Sequence, residues 1–377
     1  MHNFYLMKLL EKDLDISKIS IRNEINYNFY KKNDLNYFPL KIPIENIIKS
    51  LNRYRFLIKH INLLKDWLVS REMYLKINEI NSDIVEFMDI HSESYYLLKN
   101  KNKLKPRIII RSHTPWSLLE KYYSENEKKY LDSKKIYHRE QFCFQRCDGI
   151  TVPSTDLKNQ LVKLFKIDQE KIFVIPNIID VNHFKIKIKK RHSETFNILH
   201  IGRFMRSKGV VTLIKAFIEL GKNYKDISMT LIGKTDQRIF KRCEQLLIKN
   251  NLNHRVFFKK FVSYELLPDF YEKANVIIVP SEIYESFSYT VAQGMACGKI
   301  VIASNIGGIP ETVDHGKAGL LFEPGDTQDL IESVKKVYLK EVDVGYIEKR
   351  ARYHVKKNYS FEALKSHYLN YYKGQLY

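Results

Sequence analysis

The first 148 residues contain no glycine, and thirteen of the fourteen glycines lie beyond Gly149. Loops that cradle phosphate take left-handed turns or bring the backbone close to the ligand, so a nucleotide site is excluded from the early part of the chain. No run of about 18 uncharged apolar residues is present, which excludes a membrane-spanning helix. The opening MHNFYLMKLLEKDLD lacks a basic stretch ahead of an apolar core and a small-residue cleavage site. It does not read as a secretory signal, and a cytoplasmic location is the expectation. The cysteines, Cys143, Cys147, Cys243 and Cys297, form no CxxC pair. This argues against a disulfide framework and for reduced core residues. Cys143 and Cys147 share a helix face without a nearby second ligand pair, so no metal site is expected there.

What the chain does have is length and positive charge. Its 377 residues exceed what one hydrophobic core organises, which implies two domains. Lysine and arginine number 63 against 43 acidic residues, a formal charge of +20. Such a balance attracts nucleic acid, a phospholipid surface or a phosphorylated substrate, and no nucleic-acid-binding motif accompanies it. Part of the charge also fits a general bias toward Lys, Asn, Ile and Tyr. From Ile44 to about Ile80, Ile47, Ile48, Leu51, Tyr54, Ile58, Ile61, Leu64 and Leu68 recur near helical spacing, interleaved with lysines and arginines. That segment reads as a helix covering a sheet; its second reading is a basic amphipathic helix on an anionic membrane.

The pieces IVEFM and RIIIRSH read as strands, followed by helix over residues 117–146 and by strands in DGITVPS and KIFVIPN. The basic run KIKIKKRHSE, residues 185–194, has no core pattern and reads as a linker between residues 1–184 and 195–358. Beyond it, strands in FNILHIG, SMTLIG and RVFFKKF alternate with helices, the order of a doubly wound parallel sheet. Residues 276–313 form one βαβ unit: a buried strand, a loop with Glu282 and Glu285, a helix from about Ser288 to Gly298, a second strand, and a Gly307-Gly308 loop into another helix. Both loops lead from strand carboxyl ends to helix N-termini, where free N–H groups favour an anion. Residues 359–377 place Phe361, Leu364, Tyr368 and Tyr371 on one helix face suited to docking back on the earlier domain.

The ordered motifs HIGRFMRSKG, LIGKTD, VPSEIYESFSYTVAQGMACGKIVIASNIGGIPETV and GKAGLLFEPGD resemble the family-4 glycosyltransferases of the GT-B fold. PSTDLKNQL and VIPNIIDVNHF resemble the run before that family's domain linker, and the resemblance covers residues 107 to about 375. It implies an α/β protein of two Rossmann-like domains facing across a cleft. It also implies transfer of a sugar from a nucleotide-diphosphate donor to an acceptor hydroxyl with retention, without an obligatory metal or resident cofactor. Gly202, Arg203 and Lys208 match the positions that meet donor phosphates, with Arg206 a weaker match. Glu285 matches the first acid of a two-glutamate motif and, with the backbone of Ser286, Phe287 and Ser288, is implied at the donor sugar. The second acid is replaced by Gln293, which weakens or rearranges the implied ribose contact. Gly308 belongs to the same donor side, and His113 corresponds to a histidine near the donor sugar.

Asn177 and Asp180 match a turn expected to fix the crossover between domains. Glu311 is either a helix-start carboxylate or a ligand contact, and Glu282 is a lesser partner of Glu285. Asp13-Leu14-Asp15 has the spacing of a metal motif from another fold but no strand before it, and is not read as a metal site. The family's opening strand and glycine-rich loop are missing, so the N-terminal domain is expected to be divergent or to lack its first strand. The acceptor, whether a glycan, lipid-linked or protein hydroxyl, is not encoded in these motifs. A peripheral position at the inner face of a membrane is the companion expectation, and a weakened, nucleotide-sugar-binding scaffold subunit the alternative function.

Overall fold

The structure is a computed structural model that describes residue 14 and residues 17–21, 36–40, 71–89, 94–103, 105–122, 133–185 and 195–374. Asp13, Asp15, residues 44–70 of the basic segment and residues 186–194 of the expected linker lie outside the described residues. Residues 71–80, the end of that segment, are helical, with Met73 and Ile77 buried. Among the described residues no helix is long and apolar enough to cross a membrane.

Two strands, β1 (Ser17–Ile21) and β2 (Asn36–Leu40), pair in parallel in the N-terminal stretch where no strand was expected. Neither SKISI nor NYFPL carries a buried-strand run, and Pro39 argues against a central strand, which is why the pattern was missed. They form a sheet of their own. The chain divides into two compact units, one of Met1–Val152, Lys158–Ile175 and His367–Tyr377, the other of Pro153–Leu157 and Pro176–Ser366.

In the first unit β3 (Ile84–Met88), β4 (Arg107–Arg111), β5 (Gly149–Val152) and β6 (Ile172–Val174) make a parallel sheet in sequential order. Ile108, Ile109 and Ile110 are all buried, so β4 is covered on both faces, as a parallel strand between crossover helices must be. The carboxy-terminal residues belong to this unit: the Tyr372 hydroxyl donates to Glu86 at 2.6 Å, and the Tyr371 ring packs against Phe173.

The second unit is built on β7 (Phe196–Ile201), β8 (Ile227–Ile232), β9 (Val256–Lys259), β10 (Val276–Val279), β11 (Ile300–Ser304) and β12 (Leu320–Phe322). Their spatial order is β12-β11-β10-β7-β8-β9, all parallel. Alternate residues feed two cores. Ile198, Val276, Ile278, Ile300 and Ile302 meet the helix Val210–Asn223 on one face. Leu199, Ile277, Val279, Val301 and Ala303 meet the helices Tyr289–Ala296 and Val344–Tyr359 on the other. Cysteine serves as core filler throughout: none of the four is in a disulfide and all are buried, and burial pushes the Cys143 and Cys147 thiols up to about 12 and 11.

Candidate functional site

The strand order reverses between β7 and β10, so the loops leaving their carboxyl ends run to helices on opposite faces and open a crevice there. Residues 202–209 form one wall and 280–288 the other. The first loop closes with the turn Arg206–Lys208 and Gly209, whose φ of +67° is left-handed. A Cβ on Gly209 would sit 1.6 Å from the Pro280 carbonyl oxygen, so only glycine lets the walls come together. The amide of Glu282 donates to Ser207 O across them at 2.9 Å.

Lys208 and Glu285 meet in this crevice as an ion pair between the Lys208 ammonium and Oε1 of Glu285, each side chain about four-fifths buried. Ser281 Oγ donates to the same carboxylate at 2.7 Å. Glu282 points elsewhere, accepting from Thr212 Oγ1 at 2.6 Å on the first turn of Val210–Asn223. Arg203 is exposed on the same loop. Beneath Gly202 lies His200, which the sequence reading did not single out. Its Nδ1 donates to Ile278 O at 3.0 Å, tying β7 to β10, and burial holds the imidazole neutral by lowering its pKa to about 4. A Cβ on Gly202 would come within 3.0 Å of that ring.

The Gly307-Gly308 loop locks onto the second wall. Gly308 N–H donates to Glu285 O at 2.8 Å, and a Cβ there would meet Ser286 O at 2.2 Å. Ser286, Phe287 and Ser288 are buried, and the Phe287 ring packs on Tyr359 and Tyr289. Ser288 Oγ caps Tyr289–Ala296 by accepting from Val291 N. Gln293 is also buried, its Oε1 accepting from the Tyr271 hydroxyl at 3.1 Å. Glu311, left open by the sequence, accepts from Thr155 N and Asp156 N at 2.8 and 2.7 Å and caps the helix Thr155–Phe165. Asp180 closes its own turn through Asn182 N and His183 N. Among the described residues no three His, Cys, Asp or Glu side chains are grouped to hold a metal ion.

His113 belongs to the first unit, just beyond β4. Burial, with the neighbouring Arg111 charge, lowers its pKa to about 3, so the imidazole is neutral at physiological pH. Its backbone N–H donates to the buried Asp89. Nearby, burial outweighs the hydrogen bonds on Glu140 and pushes its carboxyl up to about 7. The folded chain therefore holds a proton on Glu140 that the unfolded chain has lost, and stability falls as pH rises from about 4.5 to about 7. Wild type should lose about 3 kcal/mol relative to Glu140→Gln across that window. Denaturant titrations of both proteins at pH 4.5, 6 and 7.5 check this; parallel curves refute it.

Residues 182–357 match the family model of glycosyl transferases group 1, and residues 43–183 that of glycosyltransferase family 4. A glycosyltransferase of Methanocaldococcus jannaschii, itself uncharacterized, is 27% identical over 257 residues, 65% of each chain. The N-acetyl-alpha-D-glucosaminyl L-malate synthase of Bacillus anthracis is 30% identical over 237 residues, 60% of each chain. The match thus spans less than two thirds of either relative's length. Among solved structures, sucrose-phosphate synthase from Thermosynechococcus elongatus shares the fold with a TM-score of 0.78 at 20% identity, covering 100% of this chain and 93% of that one. The Anabaena HepE protein in complex with UDP does so with a TM-score of 0.79 at 16% identity, covering 99% and 96%. A doubly wound unit of this order, following a second parallel α/β unit, is the GT-B fold that these structures share. This chain belongs to the family-4 glycosyltransferases of that fold.

Proposed function

We propose that the protein transfers a sugar from a nucleoside-diphosphate donor to an acceptor hydroxyl with retention of configuration and without a metal ion. The observation that supports this is the Lys208–Glu285 pair in the crevice between β7 and β10, a cation and a carboxylate at the edge where open α/β sheets bind ligands. Cleaving the sugar–phosphate bond leaves negative charge on the departing diphosphate. In this reading Lys208 and Arg203 neutralise that charge, on a loop whose Gly202 lets the backbone approach the ligand. Glu285 and the main chain at Phe287 and Ser288 meet the sugar, and the neutral His113 offers a hydrogen bond rather than a proton-donating cation. The acceptor is a glycan, lipid-linked or protein hydroxyl in polysaccharide, glycolipid or glycoprotein synthesis at the cytoplasmic face of a membrane. The +20 charge supports an anionic partner.

The test is incubation of the purified chain with a panel of nucleotide sugars while free nucleoside diphosphate is measured. UDP-sugars come first, because the HepE structures hold UDP and UDP-glucose. Product NMR reports the anomeric configuration, and insensitivity to EDTA reports metal independence. The absence of both turnover and binding with every donor would defeat the reading.

Gln293 favours a second reading, a weakened member that binds nucleotide sugars as a scaffold subunit. Its carbonyl is already used by Tyr271, and an amide makes no charge-assisted bond to ribose hydroxyls. That deficit is about 1 to 2 kcal/mol, so Gln293→Glu should tighten donor binding roughly 5- to 30-fold, read by calorimetry. An unchanged Kd would remove ribose contact from Gln293.

A further inference from the structure

Between Ser112 and Ser117 the chain has left β4, and the helix Trp116–Leu119 is only starting, yet every N–H in the run is bonded. Ser112 N–H donates to Thr151 O at 2.9 Å. Those of His113 and Thr114 both donate to Oδ2 of Asp89, each at 3.1 Å. Pro115 has none to offer. Those of Trp116 and Ser117 donate to Oε1 and Oε2 of Glu140 at 2.6 and 3.0 Å. The Ser112 hydroxyl adds a third bond to Asp89 at 2.6 Å, and the Ser117 hydroxyl a third to Glu140. Asp89 directly follows β3, while Glu140 projects from the helix Ser133–Arg146, so the loop is gripped from two independent elements. The two carboxyl groups line one small cavity with Met88, Ile110 and Phe144.

Burying two carboxyl groups is costly, and burial raises the pKa of both. Each carboxyl nevertheless accepts three converging donors, and neither has a cation bonded to it among the described contacts. The cost goes into one thing, the placement of the loop that carries His113. We propose that Asp89 and Glu140 are positioning residues that clamp this loop at both ends for the sugar-transfer step. This rests on the reading above, in which His113 meets the donor sugar.

The test uses the full chain with Asp89→Asn and Glu140→Gln, alone and combined with His113→Ala. Three readouts are needed: kcat and KM from nucleoside diphosphate release, Kd for UDP and for GDP, and amide hydrogen exchange over residues 112–119. Each single variant should lower kcat about 10- to 100-fold, with KM and nucleotide Kd within about 3-fold. It should add little to the loss caused by His113→Ala and speed exchange of residues 112–119 while leaving β4 and β5 unchanged. A variant with wild-type kcat, one whose loss multiplies with that of His113→Ala, or one with unaltered exchange overturns the proposal. If a variant does not fold, Asp89→Glu or Glu140→Asp, which keep the carboxyl group but displace it, should show the same split. Wild type that turns over no donor refutes the transferase reading instead; the exchange measurement then decides the clamp alone.

Discussion

Replacing Lys208 by alanine should lower kcat roughly 10²- to 10³-fold, the loss seen when one fixed donor to a developing anion is removed. KM for the donor should change far less, because the charge on the diphosphate is greatest in the transition state and the ammonium is most useful there. A second effect acts in the same direction. Without the ammonium, Glu285 keeps only Ser281 Oγ as a side-chain partner among the described residues and stands as an uncompensated carboxylate beside the diphosphate. Lys208→Arg should recover part of the rate, since it restores charge with a different fork. Steady-state kinetics checks this, with circular dichroism confirming that the fold is intact. Equal losses in kcat/KM and 1/KM at constant kcat would make Lys208 a ground-state binding residue instead.

Gly209→Ala should be the most damaging single methyl in the second unit. The left-handed backbone alone costs about 1 kcal/mol for alanine, and the Cβ would lie 1.6 Å from Pro280 O, inside any tolerable contact. The walls must separate, breaking the Glu282 N to Ser207 O bond. A total loss of about 3 to 5 kcal/mol follows, and activity should fall with it because Lys208 and Glu285 sit on the two walls. Gly316 supplies the control: its φ is +89°, yet a Cβ there meets nothing within 4 Å. Gly316→Ala should cost only about 1 kcal/mol. Thermal melts of both variants decide the matter, and equal shifts would refute the collision.

Much of the second unit could be read from the amino acids because its strands are buried on both faces. VIIV and IVIAS are continuous apolar runs, and Gly298 between them, with a left-handed φ of +64°, marks the end of the intervening helix. The helix start near Ser288 was visible for the same local reasons. What stayed hidden was long-range and polar. Glu311 reaches back 156 residues to cap the helix at Thr155. Tyr271 takes up the carbonyl of Gln293, and Asp89 and Glu140 converge on one loop from two elements. No periodicity reports such pairings, since a single carboxylate among charged neighbours looks like any solvated side chain. One faint signal existed: Asp89 directly follows the strand-like IVEFM, where strand carboxyl ends carry function.

The pairing of Lys208 with Glu285 also bears on which anions can gain entry. A cation that already has an intramolecular counter-ion holds little net attraction for chloride or other singly charged species, which bring no more than the carboxylate already provides. A diphosphate attached to a sugar brings two things together: surplus negative charge to draw the ammonium away, and hydroxyl donors to occupy the liberated carboxylate. If the crevice takes the proposed donor, the wall-to-wall contact itself discriminates against abundant small electrolytes.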